Sequence, residues 1–287
     1  MNALQLQPSP IGLSAAGPAT TLLIDSLLHP MALLVRQVLG REGRRATNLL
    51  LIDDEENIAQ ALQARLQLHS LFITTGKEFP AALRSVVPPS TPVYEVSAGA
   101  VKKLFGNDKL ARLFALAEVP RRVELESLSA IPGDIIVLEN LSISGNIGAI
   151  IRTALALGAG ALVLLNTDPA DLYDRRLIRA SRGHVFAMPI VATTTSSLLD
   201  FCKQHGLELL VTASTGEVAV DELAGMQRRL VMAFGAEKDG CSPDLVGAAA
   251  ARVRIPLQPG VESLNVSAAA AIVLYQRSQS NPTRSHP

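Results

Sequence analysis

Apolar residues fall at helical spacing over residues 31–39 and 57–68, and gather into short unbroken runs at 48–52 and 71–74. Residues 81–86, 93–96, 98–105 and 113–119 continue the exchange between the two patterns. A period near 3.6 predicts helices with one buried face, while short apolar runs predict buried strands. Their alternation predicts an α/β layer with a largely parallel sheet. Val119-Pro120-Arg121-Arg122 interrupts it and Ile131-Pro132-Gly133 closes the interruption. The pattern then resumes, with strands expected at 134–138, 161–165, 185–191, 207–211, 230–234 and 253–255. Helices are expected at 147–157, 171–181, 197–205 and 266–275. The organisation expected is a flexible N-terminus (1–24), a smaller α/β domain (25–120), a linker (121–132), a larger α/β domain (133–278) and a flexible tail (279–287).

Composition narrows the class. A chain of 287 residues exceeds one small core, and 48% hydrophobic against 18% charged residues excludes a wholly disordered chain. Aromatics are 3% with no Trp, so burial falls to Leu, Val, Ile and Ala. Lys+Arg and Asp+Glu both number 26, so no global positive field marks a polyanionic partner, and any nucleic-acid site is local. The 2 cysteines, Cys202 and Cys241, lie outside any C-x-x-C or Cys/His spacing, and no disulfide framework is expected. No apolar run reaches membrane-spanning length, and residues 1–21 lack the Lys or Arg of a signal peptide. A soluble, cytoplasmic protein without membrane or metal partners is expected.

Several common constellations are missing. Gly158-Ala159-Gly160 lies after a predicted helix and before a strand, the reverse of a dinucleotide loop. There is no P-loop, nucleophile elbow or H-E-x-x-H. His184, placed at a strand start, is either structural or catalytic.

Three stretches remain. In the first, Asn146 is placed to cap a helix, Gly148 to admit a neighbouring backbone, and Arg152 to follow one turn later on the same face. An amphipathic helix with one surface arginine is the plainer account. The second, Phe234-Gly235-Ala236-Glu237-Lys238-Asp239-Gly240, puts a carboxylate where a strand ends, at the ligand-binding edge of open α/β sheets, or is a charged turn. In the third, Ser263, Asn265 and Ser267 cluster at a helix start, to accept a ligand or simply to cap.

Read in order, Asn146-Ile147-Gly148…Arg152…Gly158, Phe234-Gly235-x-Glu237-x-x-Gly240 and Ile255-Pro256…Glu262-Ser263-Leu264-Asn265-Val266-Ser267 resemble the three signature motifs of the SpoU (TrmH-like) branch of the SPOUT methyltransferases. The resemblance covers residues 134 to about 277. The upstream block is similar to a ribosomal-protein-like RNA-binding domain. Residues 151–159 and 174–186 most resemble the thiostrepton- and nosiheptide-resistance rRNA methyltransferases. This likeness implies ribose 2′-O-methylation of an adenosine in the GTPase-centre region of 23S rRNA, with S-adenosylmethionine as donor. It also implies a C-terminal trefoil knot and a homodimer formed through the C-terminal domain. Knots are rare exceptions to chain threading, so that expectation rests on the likeness alone.

The resemblance assigns roles to matching residues. Arg152 would activate the ribose hydroxyl, and charge stabilisation is preferred to base catalysis because guanidinium stays protonated. Asn146 and Asn265 would orient Arg152 and the ribose, Glu237 would hold a guanidinium, and Ser263 would contact ribose or cofactor carboxylate. Thr212, Gly235, Ile255 and Leu264 would form the cofactor pocket, with Arg182 shared between methionine carboxylate and RNA phosphate. RNA contacts fall to two clusters: Arg36, Arg41, Arg44 and Arg45, then Lys102, Lys103, Lys109 and Arg112 around Phe105. Phe105 would stack on an unpaired base or belong to the core. The alternatives are the same reaction on tRNA or another rRNA nucleotide, or an RNA-binding dimer that has lost catalysis. Intact Asn146, Arg152, Glu237 and Asn265 argue against the last.

Overall fold

The computed structural model describes residues 22–106, 112–167, 172–236 and 239–279. The chain divides into two units between Pro120 and Arg121. The first runs β1 (Leu22–Ile24), α1 (Pro30–Leu39), α2 (Arg41–Thr47), β2 (Leu49–Asp53) and α3 (Glu55–Gln63). It continues with β3 (Leu68–Thr74), α4 (Ala81–Arg84), β4 (Val93–Val96), α5 (Ala98–Phe105) and β5 (Leu113–Glu118).

Its sheet has the order β1-β4-β3-β5-β2. β1, β4 and β3 are parallel neighbours, but β5 is antiparallel to both β3 and β2. The largely parallel sheet expected here is therefore mixed. Alternating periodicities reveal element type but not the direction in which a strand re-enters the sheet. Residues 22–24 also depart from expectation, pairing with β4 as an edge strand instead of belonging to a flexible terminus. The core is built on an aromatic ladder: Phe72 stacks on Phe114 at 4.8 Å and on Tyr94 at 5.4 Å. Phe105 meets Phe114 edge-on at 5.0 Å and is buried, so its core role holds and the base-stacking role does not.

The second unit opens with a 3-10 turn at Leu125–Ala130, where a linker was expected. Leu128 is fully buried there, and the Arg229 guanidinium donates to the carbonyls of Leu128, Ser129 and Gly133 at 2.9, 3.3 and 2.6 Å. These contacts make the segment part of the domain. Then follow β6 (Ile135–Glu139), α6 (Ser144–Ala156), β7 (Ala161–Leu165), α7 (Arg175–Ala180), β8 (Ile190–Thr193), α8 (Thr195–Gln204) and β9 (Glu208–Thr212). β10 (Val218–Ala219), β11 (Leu230–Phe234), α9 (Pro243–Ala248), β12 (Ala251–Arg254) and α10 (Val266–Ser278) complete it. The strand expected over 185–191 begins only at Ile190. Arg182 and Gly183, at φ +51° and +75°, wind the chain into a 3-10 turn at His184–Phe186, so His184 is not at a strand start.

All seven strands are parallel, in the order β10-β12-β9-β11-β6-β7-β8. Central strands β6, β7 and β11 are buried along their whole length, which explains their uninterrupted apolar runs. At the amino end of β6, Arg277 of α10 closes on Asp134, its Nε donating to Oδ2 at 2.6 Å. It also donates to the carbonyls of Leu223, Met226 and Arg228. Among the described residues, no helix is long and apolar enough to cross a membrane.

Candidate active site

In parallel sheets the carboxyl ends of the strands are where ligands bind, because loops there are free to diverge. β12, β9 and β11 are neighbours, and a cleft of about 760 Å³ opens where they end. Thr212 closes β9, Gly235 follows β11, Ile255 follows β12, and Ser263 and Leu264 arrive from the approach to α10; all five line the cleft. Four of the five residues expected to form a cofactor pocket thus meet there.

Local chemistry shapes each wall. A Cβ on Gly235 would lie 2.0 Å from the Gly240 carbonyl carbon, so only glycine lets the loop fold back this tightly. Ala236 and Gly240 exchange backbone hydrogen bonds at 3.1 and 2.9 Å, fastening the return. The Thr212 hydroxyl donates to the Ala233 carbonyl at 3.1 Å, joining the ends of two strands. Beyond it, the Arg254 Nη1 donates to Gly216 O at 3.0 Å while Arg252 pairs with Glu217, holding residues 213–217 against β12. Burial, with the Glu139 carboxylate second, pushes the Cys241 thiol up to about 12, so this lining residue stays protonated.

The first motif sits beside the cleft. α6 begins at Ser144 with Ile143 at its cap position, so Asn146 lies in the first turn and is not the cap. Its Oδ1 instead accepts from Asn265 Nδ2 at 3.2 Å. Asn265 caps α10, its Oδ1 accepting from the Ser267 amide at 2.9 Å, and its chain neighbours Leu264 and Val266 both line the cleft. Gly148 behaves as its sequence context suggests: a Cβ there would lie 2.5 Å from Ala180 Cβ, so α6 and α7 touch.

Other candidates fall elsewhere. Arg152 is exposed, does not line the cleft, and makes no hydrogen bond or ion pair among the described residues. Arg182 is exposed in the turn after α7, also outside the lining. Glu237 lies outside the described residues. In the first unit, Arg36 is exposed. Arg45 pairs with Glu42 at 3.1 Å, and Arg112 pairs with Glu55. Arg44 is only 6% exposed and donates to Leu39 O at 3.2 Å, which makes it a structural residue of the α1–α2 corner and corrects its expected RNA role. Lys109 lies outside the described residues. Sequence reasoning gave no role to the lining residues Asp239, Cys241 and Glu262, although Asp239 and Glu262 lie within the quoted motifs and Cys241 adjoins one. Among the described residues, no group of three His, Cys, Asp or Glu could hold a metal ion.

Comparison with known proteins bears on this geometry. Residues 134–275 match the SpoU rRNA Methylase family, and residues 21–131 match the Thiostrepton-resistance methylase, N terminus. The 23S rRNA (adenosine(1067)-2′-O)-methyltransferase of Streptomyces laurentii is 36% identical over 245 residues, 85% of this chain and 91% of the relative. Its namesake in Streptomyces azureus is 33% identical, over 90% of this chain and 97% of the relative. A crystal structure of an RNA 2′-O ribose methyltransferase superposes with a TM-score of 0.79 at 33% identity, covering 90% of this chain and 99% of that one. An AdoMet-bound rRNA methyltransferase from Sinorhizobium meliloti shares the fold, with a TM-score of 0.77 at 24% identity over 89% of this chain and 96% of that one. With its strand-end cleft, its joined first and third motifs and these matches along both units, the chain belongs to the SpoU rRNA methylase family and carries the N-terminal region of the thiostrepton-resistance methylases.

Proposed function

We propose that this methyltransferase transfers a methyl group from S-adenosylmethionine to the ribose 2′-oxygen of an adenosine in the GTPase-centre region of 23S rRNA, as a cytoplasmic enzyme conferring thiopeptide resistance. The observation that carries this is the Asn146–Asn265 hydrogen bond at the margin of the cleft, because it fastens the first motif to the third beside a pocket of cofactor size. The two Streptomyces relatives named above support the choice of base and RNA.

The cleft fits such a donor. Ile255, Leu257 and Leu264 offer apolar walls for a purine, and Thr212 and Ser263 offer hydroxyls. The carboxylates of Asp239 and Glu262 suit sugar hydroxyls and cationic groups. When bound, S-adenosylmethionine supplies an electrophilic methyl on a positively charged sulfur. The chain's task is to align a weakly acidic hydroxyl with that methyl and to favour its loss of a proton. Positioning of this kind supplies roughly 7–11 kcal/mol. Asn146 and Asn265 orient the ribose, and Ser263 contacts ribose or cofactor. Glu237 holds a guanidinium. Arg152 stabilises the developing oxyanion by its fixed charge, worth about 2.7–4 kcal/mol for a well-placed donor. Arg182 neutralises carboxylate or phosphate. Exposed Arg36, Arg45 and Arg112 give the first unit its phosphate contacts.

The second unit works as a trefoil-knotted homodimer. Ile143 and Tyr275, 56% and 55% exposed on the packed pair α6 and α10, are apolar residues that a second copy would cover.

Labelled S-adenosylmethionine offered with a GTPase-centre rRNA fragment beside whole tRNA, followed by mapping of the modified ribose, tests the proposal. A 2′-O-methyladenosine in the rRNA fragment is the expected product. Label confined to tRNA would transfer the assignment to that substrate, and no transfer to either would end it.

A further inference from the structure

The most deeply buried carboxylate of the second unit's described residues belongs to Glu139, 1% exposed at the end of β6. Burying an ionised carboxylate is costly unless hydrogen bonds replace its water. Here Glu139 Oε2 accepts the Ser242 amide at 2.7 Å, 103 residues further along the chain. We propose that Glu139 is a positioning residue for the methyl-donor cleft, fixing through the Ser242 amide the descending arm of the Gly235–Gly240 loop that forms one wall.

Both ends of this contact are placed for that task. Glu139 is held on a strand flanked by β11 and β7, and the next residue, Asn140, turns the chain at φ +55° toward the first motif. Asn140 Oδ1 accepts Asn166 Nδ2 at 3.2 Å, tying the ends of β6 and β7 together. Glu139 therefore sits at a fixed point from which the first-motif loop departs. On the other side, Ser242 directly follows Gly240 and Cys241, both of which line the cleft. The tight Gly235–Gly240 approach fixes how closely the two arms of the loop lie. The Ser242 amide is the described contact that ties this arm to β6. Through the Ser242 amide the carboxylate adjoins Cys241, whose thiol is raised first by burial and then by the Glu139 charge. An apolar residue could fill the same space, so the carboxylate's distinctive contribution is as an acceptor.

The inference rests on the cofactor assignment made above, and the test separates the two. Calorimetry would measure S-adenosylmethionine binding to the full chain and to Glu139→Leu and Glu139→Gln. Hydrogen exchange of residues 239–248 would be measured without cofactor. Glu139→Leu is expected to weaken cofactor binding about tenfold, as for loss of a charge-assisted hydrogen bond. It should speed exchange in 239–248 and leave KM for RNA unchanged. Glu139→Gln, whose amide oxygen still accepts, should restore binding and exchange to near wild type. Wild-type binding and exchange in Glu139→Leu would overturn the proposal. If Glu139→Leu does not fold, Ser242→Pro and Ser242→Ala carry the test, because both lose the hydroxyl and only proline loses the amide. Ser242 has φ −60°, which proline adopts without strain. Weaker binding by Ser242→Pro than by Ser242→Ala supports the proposal, and equal binding overturns it. If the wild-type chain binds no S-adenosylmethionine, the function proposed above fails, while the exchange comparison still decides whether Glu139 holds the loop.

Discussion

Asn265 donates from Nδ2 to Asn146 Oδ1 at 3.2 Å although 119 residues separate them. The same Asn265 uses its Oδ1 to cap α10, accepting from the Ser267 amide and hydroxyl at 2.9 and 2.6 Å. One side chain thus starts a helix with its oxygen and joins two motifs with its nitrogen.

This division of labour is separable. Asn265→Asp keeps the capping oxygen and loses the donor, so it should retain helix stability while lowering turnover. Asn265→Ala loses both, and should also lower stability by about 1 kcal/mol, the usual worth of such a cap. Thermal melting beside methyl-transfer assays checks the pair. Equal melting temperatures for the two variants would remove the capping role.

Arg152→Ala should reduce turnover by about 10²–10³. Because Arg152 is exposed and unbonded among the described residues, its melting temperature should not change. Wild-type turnover would end its assigned role.

Arg277→Ala should be far more damaging to stability than to chemistry. It takes the ion-pair partner from the Asp134 carboxylate, 15% exposed, which keeps the Leu230 amide at 2.8 Å, and it removes the guanidinium from three carbonyls. Removing one partner of a buried ion pair costs about 3–5 kcal/mol, measurable by urea unfolding.

The arginines of the first unit should divide by burial. Arg36→Ala and Arg45→Ala should each lower the slope of log affinity against log salt by roughly one, as for a lost phosphate contact. Arg44→Ala should instead destabilise the α1–α2 corner, because its guanidinium is buried against Leu39 O. Filter binding across a salt series, with melting curves, distinguishes them.

Glu217 provides a pH test. Hydrogen bonds from the Arg252 side chain and backbone hold its carboxyl down to about 2, from an ordinary value of 4.5. A carboxyl lowered on folding contributes stability that is fully present above its unfolded value and lost as pH falls through the folded one. The hold on residues 213–217 should therefore be full above about pH 4.5, weaken progressively below it and be lost near pH 2. Glu217→Gln should abolish that step, as followed by hydrogen exchange of the segment.

Element types along most of the chain were legible because periodicity reports burial, and burial of β6, β7 and β11 is complete. Thr212, Gly235, Ile255 and Leu264 were named from the family resemblance and not from the pattern; the structure places all four around one cleft because loops at the carboxyl ends of neighbouring parallel strands share one side of the sheet. Phe105 and Arg44 were not, since an aromatic or basic residue on a short amphipathic helix faces core or solvent according to its neighbours. Phe114 and Leu39 decide the matter.

Sequence alone determined two α/β units, three ordered motifs and the residue types that they carry, because these follow from local spacing. Tertiary structure alone decided the reversal of β5, the Asn146–Asn265 contact, the burial of Glu139 and the exposure of Arg152. Each depends on which distant segments share a sheet edge or a helix face, and a linear pattern holds no record of that proximity.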